Sequence, residues 1–231
     1  STPIGNLEDI TARALRVLGE VSLIAAEDTR RTRNLLAHYK IRSPVTSYYD
    51  HNKHYKIDQV LAALDQGDVA LVSDSGTPVI NDPGHDLVLA AIAAGHTVSP
   101  IPGPCAPIAA LSASGLPSDS FLYLGYLPRR QAERRRLLNE IDRLKYTLIF
   151  LEAPHRLMAS LEDIHAVLGN RDICVARELT KIHEEIYHGK TGGAIEHFTS
   201  QAPRGEFTLV IGAASDLDET WTEEALRDVL T

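Results

Sequence analysis

The chain has 231 residues, 44% of them hydrophobic and 23% charged, with a formal net charge of -8. This content supports one or two buried cores, excludes a disordered or fibrous polypeptide, and argues against a general polyanion binder. The two cysteines, Cys105 and Cys174, lack metal-framework spacing and read as free thiols of a reducing compartment, and no apolar run reaches membrane length, so a cytoplasmic protein without a membrane segment is expected.

In chain order, Asn6 is placed to cap a helix over 7–18, with Glu8 and Asp9 in its first turn and Gly19 past its end. Residues 21–26 read as a strand that ends in Glu27-Asp28-Thr29-Arg30; Thr29 caps a helix to Tyr39, and 45–48 form a short strand. His51 and His54 make an HxxH pair ahead of a helix stopped by Gly67, open to metal ligation or to plain turn chemistry.

The stretch from Val69 to Pro107 organises the rest. Val69–Val72 is an apolar run suited to a strand buried on both faces, and it stops at Ser73-Asp74-Ser75-Gly76-Thr77-Pro78. A helix follows, with Pro83 in its first turn, an apolar face from Leu87 to Ala94 and Gly95 as its C-terminal cap. A second strand, Thr97–Ile101, runs into Pro102-Gly103-Pro104-Cys105-Ala106 and an Ala-rich helix to Ser114. This is a βαβ unit, and such units bind ligands beyond the carboxyl ends of their strands, where both Gly/Pro loops fall.

Leu116–Ser120 reads as a domain boundary, which predicts an N-terminal α/β domain over 1–116 and a second over 117–215. In the second, strands are expected at 121–127, 147–151, 173–176, 185–188 and 207–211, with an Arg-rich helix over 130–144 and helices to Leu168 and over 194–199. The chain opens inside what reads as a strand-to-helix loop, so a first strand is expected ahead of Ser1. Residues 216–231, with six acids and one base, read as the acidic start of a helical segment. Arg30, Arg31 and Arg33, and Arg129, Arg130, Arg134, Arg135 and Arg136, form clusters that suit either a phosphate backbone or a solvated helix face. Gly189-Lys190-Thr191 mimics the end of a P-loop, but Glu184 stands where its first glycine belongs; neither GxGxxG nor GxSxG is present, and no metal framework can be built from the two cysteines.

Eight motifs, in order, carry a resemblance: Thr2-Pro3-Ile4-Gly5-Asn6-Leu7, Ala26-Glu27-Asp28-Thr29-Arg30, Leu71 to Pro78, Asn81-Asp82-Pro83-Gly84, Pro102 to Ala106, Gly115 to Ser118, Glu152-Ala153-Pro154-His155-Arg156 and Ala176 to Lys181. Together they resemble the ribosomal RNA small subunit methyltransferase I family of the tetrapyrrole methylase superfamily. The resemblance implies two α/β domains with S-adenosylmethionine held between them. It also implies methylation of a cytidine ribose 2′-hydroxyl in the decoding region of bacterial 16S rRNA, within the small ribosomal subunit, by a homodimer. By position it assigns the cofactor to Pro3, Ile4, Gly5, Asp74, Gly76, Thr77, Pro78, Val79, Cys105, Ala106, Leu151, Ala176 and Glu206. Glu27, Asp28 and Glu178 are candidates for orienting or deprotonating the hydroxyl, against the alternative that the first two only cap helices or pair with Arg30. Arg30, Arg31, Arg129, Arg130, Arg134, Arg135, Arg156 and Lys181 are candidates for RNA phosphates. A tetrapyrrole-type small-molecule methylase and a catalytically inert RNA-binding relative are the competing readings.

Overall fold

The computed structural model describes residues 1–49, 53–200 and 203–214. They form two compact units, Ser1–Ala109 with Glu178–Glu184, and Ala110–Arg177 with the chain from Glu185 onward. The first unit therefore ends short of the Leu116–Pro117 turn read as a boundary, and it takes back a late loop that nothing in the local sequence assigns to it. His51 and the acidic segment 216–231 lie outside the described residues.

In the first unit a parallel sheet of three strands runs in the order β2-β1-β3, with β1 at Leu23–Ala26, β2 at Val45–Ser47 and β3 at Val69–Val72. Successive β1 side chains point to opposite faces. Ile24 and Ala26 pack with Ala14, Leu18 and Leu36 from α1 (Ala12–Glu20) and α2 (Thr29–His38), whereas Ala25 packs with Val60 and Leu87 from α3 (Lys53–Leu64) and α4 (His85–Ala93). Helices thus cover both faces, the arrangement that makes a parallel strand apolar throughout.

Three local readings need correction. Asn6 caps only a 3-10 turn, Leu7–Asp9, while Thr11 accepts the amide of Ala14 and starts α1, which carries Gly19 inside it. Asp28, not Thr29, caps α2. Residues Thr97–Ile101 belong to no strand among the described residues, because they make no backbone pairing with the edge of β3. The next helix is α5, Ala106–Ala113.

The second unit is a five-stranded mixed sheet in the order β4-β5-β8-β6-β7, built from Phe121–Tyr126, Thr147–Glu152, Asp172–Arg177, Glu185–Lys190 and Phe207–Ile211 as β4 to β8. Only β4 and β5 are parallel; β8 lies between β5 and β6 and runs antiparallel to both. Phe150, Leu148, Leu209 and Val175 are fully buried against Leu138 of α6 (Gln131–Ile141), Leu161 and Ile164 of α7 (Leu157–Leu168) and Phe198 of α8 (Thr191–Thr199). Each such side chain contributes about 1.5–3 kcal/mol on burial. The P-loop mimic is explained by structure: Lys190 pairs with Asp172 at 2.9 Å and Thr191 is buried with its hydroxyl on the Gly169 carbonyl.

Candidate functional site

The first unit gathers its candidate residues on loops that leave the carboxyl ends of β1 and β3. Thr2 and Gly76 exchange backbone hydrogen bonds of 2.8 and 3.0 Å, which fastens the opening loop to the Ser73–Pro78 loop. The Thr77 hydroxyl donates to the Pro104 carbonyl at 3.0 Å, which ties in the Pro102–Ala106 loop. Gly76 has φ +78°, in the left-handed region that penalises any side chain, and is buried. Val79 and Asn81 adopt φ of 74° and 62° without being glycine. Backbone strain of this kind persists where surrounding contacts over-determine a loop, as they do at many ligand sites.

Carboxylates border these loops. The Glu27 side chain accepts the amide of Asp74 at 3.2 Å, and Asp74 accepts the amide of Asp28 at 2.9 Å. Arg31 reaches Asp74 at 3.3 Å. Asp28 caps α2 and binds the Arg30 guanidinium at 2.8 Å, and the hydrogen bonds from Arg30 hold its carboxyl well below the usual carboxylate range. A carboxylate held so low is a weak proton acceptor. Asp82 is the reverse: burial first, then the negative charge of Glu27, pushes its carboxyl up to about 6, against the opposing Ser73 hydroxyl beside it. Asp82 stood inside a quoted motif, but its role was not legible there, since only the folded loop sets it among other acids.

The loop 178–184 completes this unit. Glu178 and Thr180 have φ of 50° and 68°, and the Thr180 hydroxyl accepts the amide of Asn6 at 3.0 Å. Lys181 pairs with Glu178 at 2.8 Å. A side chain at Gly5 would collide with Lys181 and Thr180, so the opening loop approaches here as bare backbone. The structure thus brings Pro3, Ile4, Gly5, Glu27, Asp28, Asp74, Gly76–Val79, Cys105, Ala106, Glu178 and Lys181 into one unit, with Arg30 and Arg31 exposed on α2.

The second unit holds the remaining candidates. Leu151 is half-buried on β5, Ala176 is buried on β6 between Ile186 and Thr208, and Glu206 is exposed just before β8. Among the arginines, Arg129 and Arg130 are exposed. Arg134 requires correction: it is 3% exposed, and its guanidinium is bound to the fully buried Asp163 and to the carbonyls of Pro128 and Arg129, so it is a core cation and does not present itself to RNA. Arg135 shares Asp163 at 2.6 Å with half its side chain in solvent. Arg156 packs on Glu152, whose buried carboxylate also takes the Ser160 hydroxyl, so it too is committed to the fold. Helical spacing alone does not distinguish the inward from the outward arginines of α6. Among the described residues no group of three His, Cys, Asp or Glu side chains could hold a metal ion.

The residues on the first unit's loops suit a ligand that is partly cationic and needs close backbone approach. They combine an acidic fringe at Glu27, Asp74 and Asp82 with small residues at Gly76, Cys105 and Ala106. Comparison with known proteins gives the family. The family profile for Tetrapyrrole (Corrin/Porphyrin) Methylases matches residues 1–194. A diphthine synthase crystal structure shares the fold, with a TM-score of 0.70 at 12% identity over 91% of this chain and 87% of that one. So does a Thermus thermophilus uroporphyrin-III C-methyltransferase in complex with S-adenyl homocysteine, with a TM-score of 0.58 at 18% identity over 89% and 92%. A Synechocystis protein named ribosomal RNA small subunit methyltransferase I is 49% identical over 100% of this chain and 84% of its own length. An Escherichia coli O157:H7 protein of the same name is 50% identical over 98% and 80%. This chain belongs to the ribosomal RNA small subunit methyltransferase I family, within the tetrapyrrole methylases.

Proposed function

We propose that the protein transfers a methyl group from S-adenosylmethionine to the ribose 2′-hydroxyl of a cytidine in 16S rRNA, within the small ribosomal subunit and as a cytoplasmic homodimer. The observation that carries this reading is identity near one half along almost the whole chain to proteins named for that RNA. When bound, the cofactor supplies an electrophilic methyl on a sulfonium. The loops at Pro3–Gly5, Gly76–Val79 and Cys105–Ala106 would hold it through backbone groups, and the acidic fringe suits its positive charge. From the second unit, Leu151, Ala176 and Glu206 are assigned to it by position only.

The rest of the chemistry falls to the chain's own residues. A ribose hydroxyl is a weak acid, so it must be aligned for in-line attack and relieved of a proton; alignment alone is worth roughly 7 kcal/mol or more in favourable cases. Asp82, with its carboxyl at about 6, is matched to accept a proton near neutral pH. Glu27 orients the same loop through the Asp74 amide. Asp28 positions Arg30, and Glu178 positions Lys181, as cations for RNA phosphates. Arg31, Arg129, Arg130 and Arg135 extend that contact; the acidic total charge is met by these local clusters. For a dimer, Leu89 and Ile92 of α4, 58% and 56% exposed, supply apolar surface of the required kind.

The test is transfer of labelled methyl to small ribosomal subunits that lack the modification, followed by nucleoside analysis. Labelled 2′-O-methylcytidine is the expected product. Label on another nucleoside or on a tetrapyrrole, or RNA binding without cofactor binding, would refute the reading.

A further inference from the structure

Two guanidiniums set into the fold of the second unit grip one loop. Arg156 donates to the carbonyls of Leu127 and Pro128, and Arg134 to those of Pro128 and Arg129, so three successive carbonyls between β4 and α6 are each held by a cation. Each cation is fixed in turn by a buried carboxylate, Glu152 for Arg156 and Asp163 for Arg134. Water can satisfy the carbonyls of a surface loop without any ion pair being desolvated, and compared with apolar packing of the same volume such pairs bring little net stability. What they produce here is a loop with a single geometry, the kind of support that holds a binding site in place.

An irregularity in β4 sets what that loop displays. Between Tyr123 and Tyr126 the strand advances three residues while its partner β5 advances two, from Ile149 to Leu151, and buried Gly125 takes up the difference with φ +67°. Such a bulge is rare in a parallel pair, and bulges re-aim side chains. Leu122 and Leu124 lie against the core, and simple alternation would send Tyr126 after them. The bulge instead turns Leu127 into the core, 1% exposed, and leaves Tyr126 51% exposed at the end of the strand. Arg129 and Arg130 follow it, both exposed, and Arg130 meets Glu133 at 3.3 Å in a solvent-exposed ion pair weak enough for a phosphate to displace.

We propose that Tyr126 is a nucleobase-stacking residue: its ring takes the face of an unpaired base of the RNA, while Arg129 and Arg130, carried on the same loop, hold the phosphates beside that base. This rests on the RNA methyltransferase reading above and adds to it a contact with a base, where the arginines contact phosphates. An aromatic ring with neighbouring cations suits single-stranded RNA, because an unstacked base offers a π face whatever its identity. Tyr126 therefore contributes affinity and register at an unpaired nucleotide, not choice among the four bases. A ring aimed by a bulge, on a loop held by two cations, loses little freedom on binding, so more of the stacking appears as affinity.

The experiment measures affinity for small ribosomal subunits that lack the modification, across a salt series, for the wild-type chain and for Tyr126→Ala, Tyr126→Leu, Tyr126→Phe and Arg129→Ala, with the melting temperature of each. Tyr126→Ala and Tyr126→Leu are expected to weaken binding by about 5- to 100-fold, and Tyr126→Phe, which keeps the ring, by less than about threefold. The Tyr126 variants should leave the slope of log affinity against log salt unchanged, since stacking releases no counterions, whereas Arg129→Ala should reduce it by roughly 0.7–0.9. Melting temperatures should stay within about 2 °C of wild type, as for other exposed side chains. Leucine serving as well as phenylalanine would overturn the proposal, and so would losses that follow the melting temperature instead of the ring. Wild-type binding that Tyr126→Ala leaves unchanged would overturn this proposal alone; a wild-type chain that does not bind the subunits would refute the RNA reading and the proposal with it.

Discussion

Replacing Asp163 by alanine tests whether the Arg134 site is a core element or a surface one. Asp163 is fully buried and accepts hydrogen bonds from Arg134 at 2.7 Å, Arg135 at 2.6 Å and Gln131 at 3.1 Å. Arg135 can turn to water, but Arg134, with 4% of its side chain exposed, cannot. The variant leaves a buried guanidinium without its counter-charge, a change that destabilises by about 3–5 kcal/mol. Against a total stability of about 5–15 kcal/mol this is a large fraction. At roughly 2–4 °C per kcal/mol for a chain of this size, the melting temperature should fall by about 6–20 °C.

The same site predicts a pH dependence. Burial alone would raise the Asp163 carboxyl, but the hydrogen bonds from Arg135, Arg134 and Gln131 outweigh it and the net shift is downward. A depressed folded value means the stabilisation is complete above the unfolded value, about 3.9, and is lost as pH falls through the folded one. Urea titrations at pH 7 and pH 3 measure both. A loss below about 1 kcal/mol at pH 7, or a wild-type-to-variant difference that does not shrink at pH 3, would show that the network is not holding the unit together. Arg134→Met with Asp163→Asn should recover much of the loss, because it removes the charge and the need for it.

Asp82→Asn should lower methyl transfer by about 100-fold or more with a much smaller loss of cofactor binding, consistent with loss of a positioned base. Since the Asp82 carboxyl is raised from 3.8 to about 6, its ionisation opposes folding as pH rises through that interval; the variant should gain stability relative to wild type from pH 4 to 6, and parallel urea curves would contradict this. Gly5→Val forces a side chain into Lys181 and Thr180 and should raise protease cleavage within 178–184, measured by fragment mapping. Burial pushes the Cys174 thiol up to about 11, so at pH 8 a thiol reagent should label partly exposed Cys105 first, as mass spectrometry would show. Arg130→Ala should weaken RNA binding and reduce the slope of log affinity against log salt by roughly 0.7–0.9, as loss of one phosphate contact would.

Much of the fold was legible in the sequence, because local chemistry dominates there. The apolar run Val69–Val72, the Gly/Pro loops after it and the strands at 147–152 and 207–211 follow directly from composition and punctuation. What escaped was set by tertiary structure. Thr97–Ile101 has strand composition, but a strand also needs a partner edge. The orientation of Arg134 depends on Asp163, 29 residues away. Asp82 acquires its character from burial first and then from the charge of Glu27, neither of which local reading can supply. The candidate residues could be named from motifs; the burial and hydrogen bonds around the acids could not.

The return of Glu178–Glu184 to the first unit has a consequence for the order in which the protein is made. The loop that carries Gly5 and Asn6 is synthesised well ahead of its partner Thr180, which emerges only after most of the second unit has been translated. Domains commonly acquire structure as they leave the ribosome, amino-terminal first. Here the amino-terminal unit finishes only after much of its successor has emerged. A nascent chain whose emerged part ends before residue 178 should therefore still have a cleavable opening loop, and emergence past residue 184 would be the point at which that loop is fastened to Thr180.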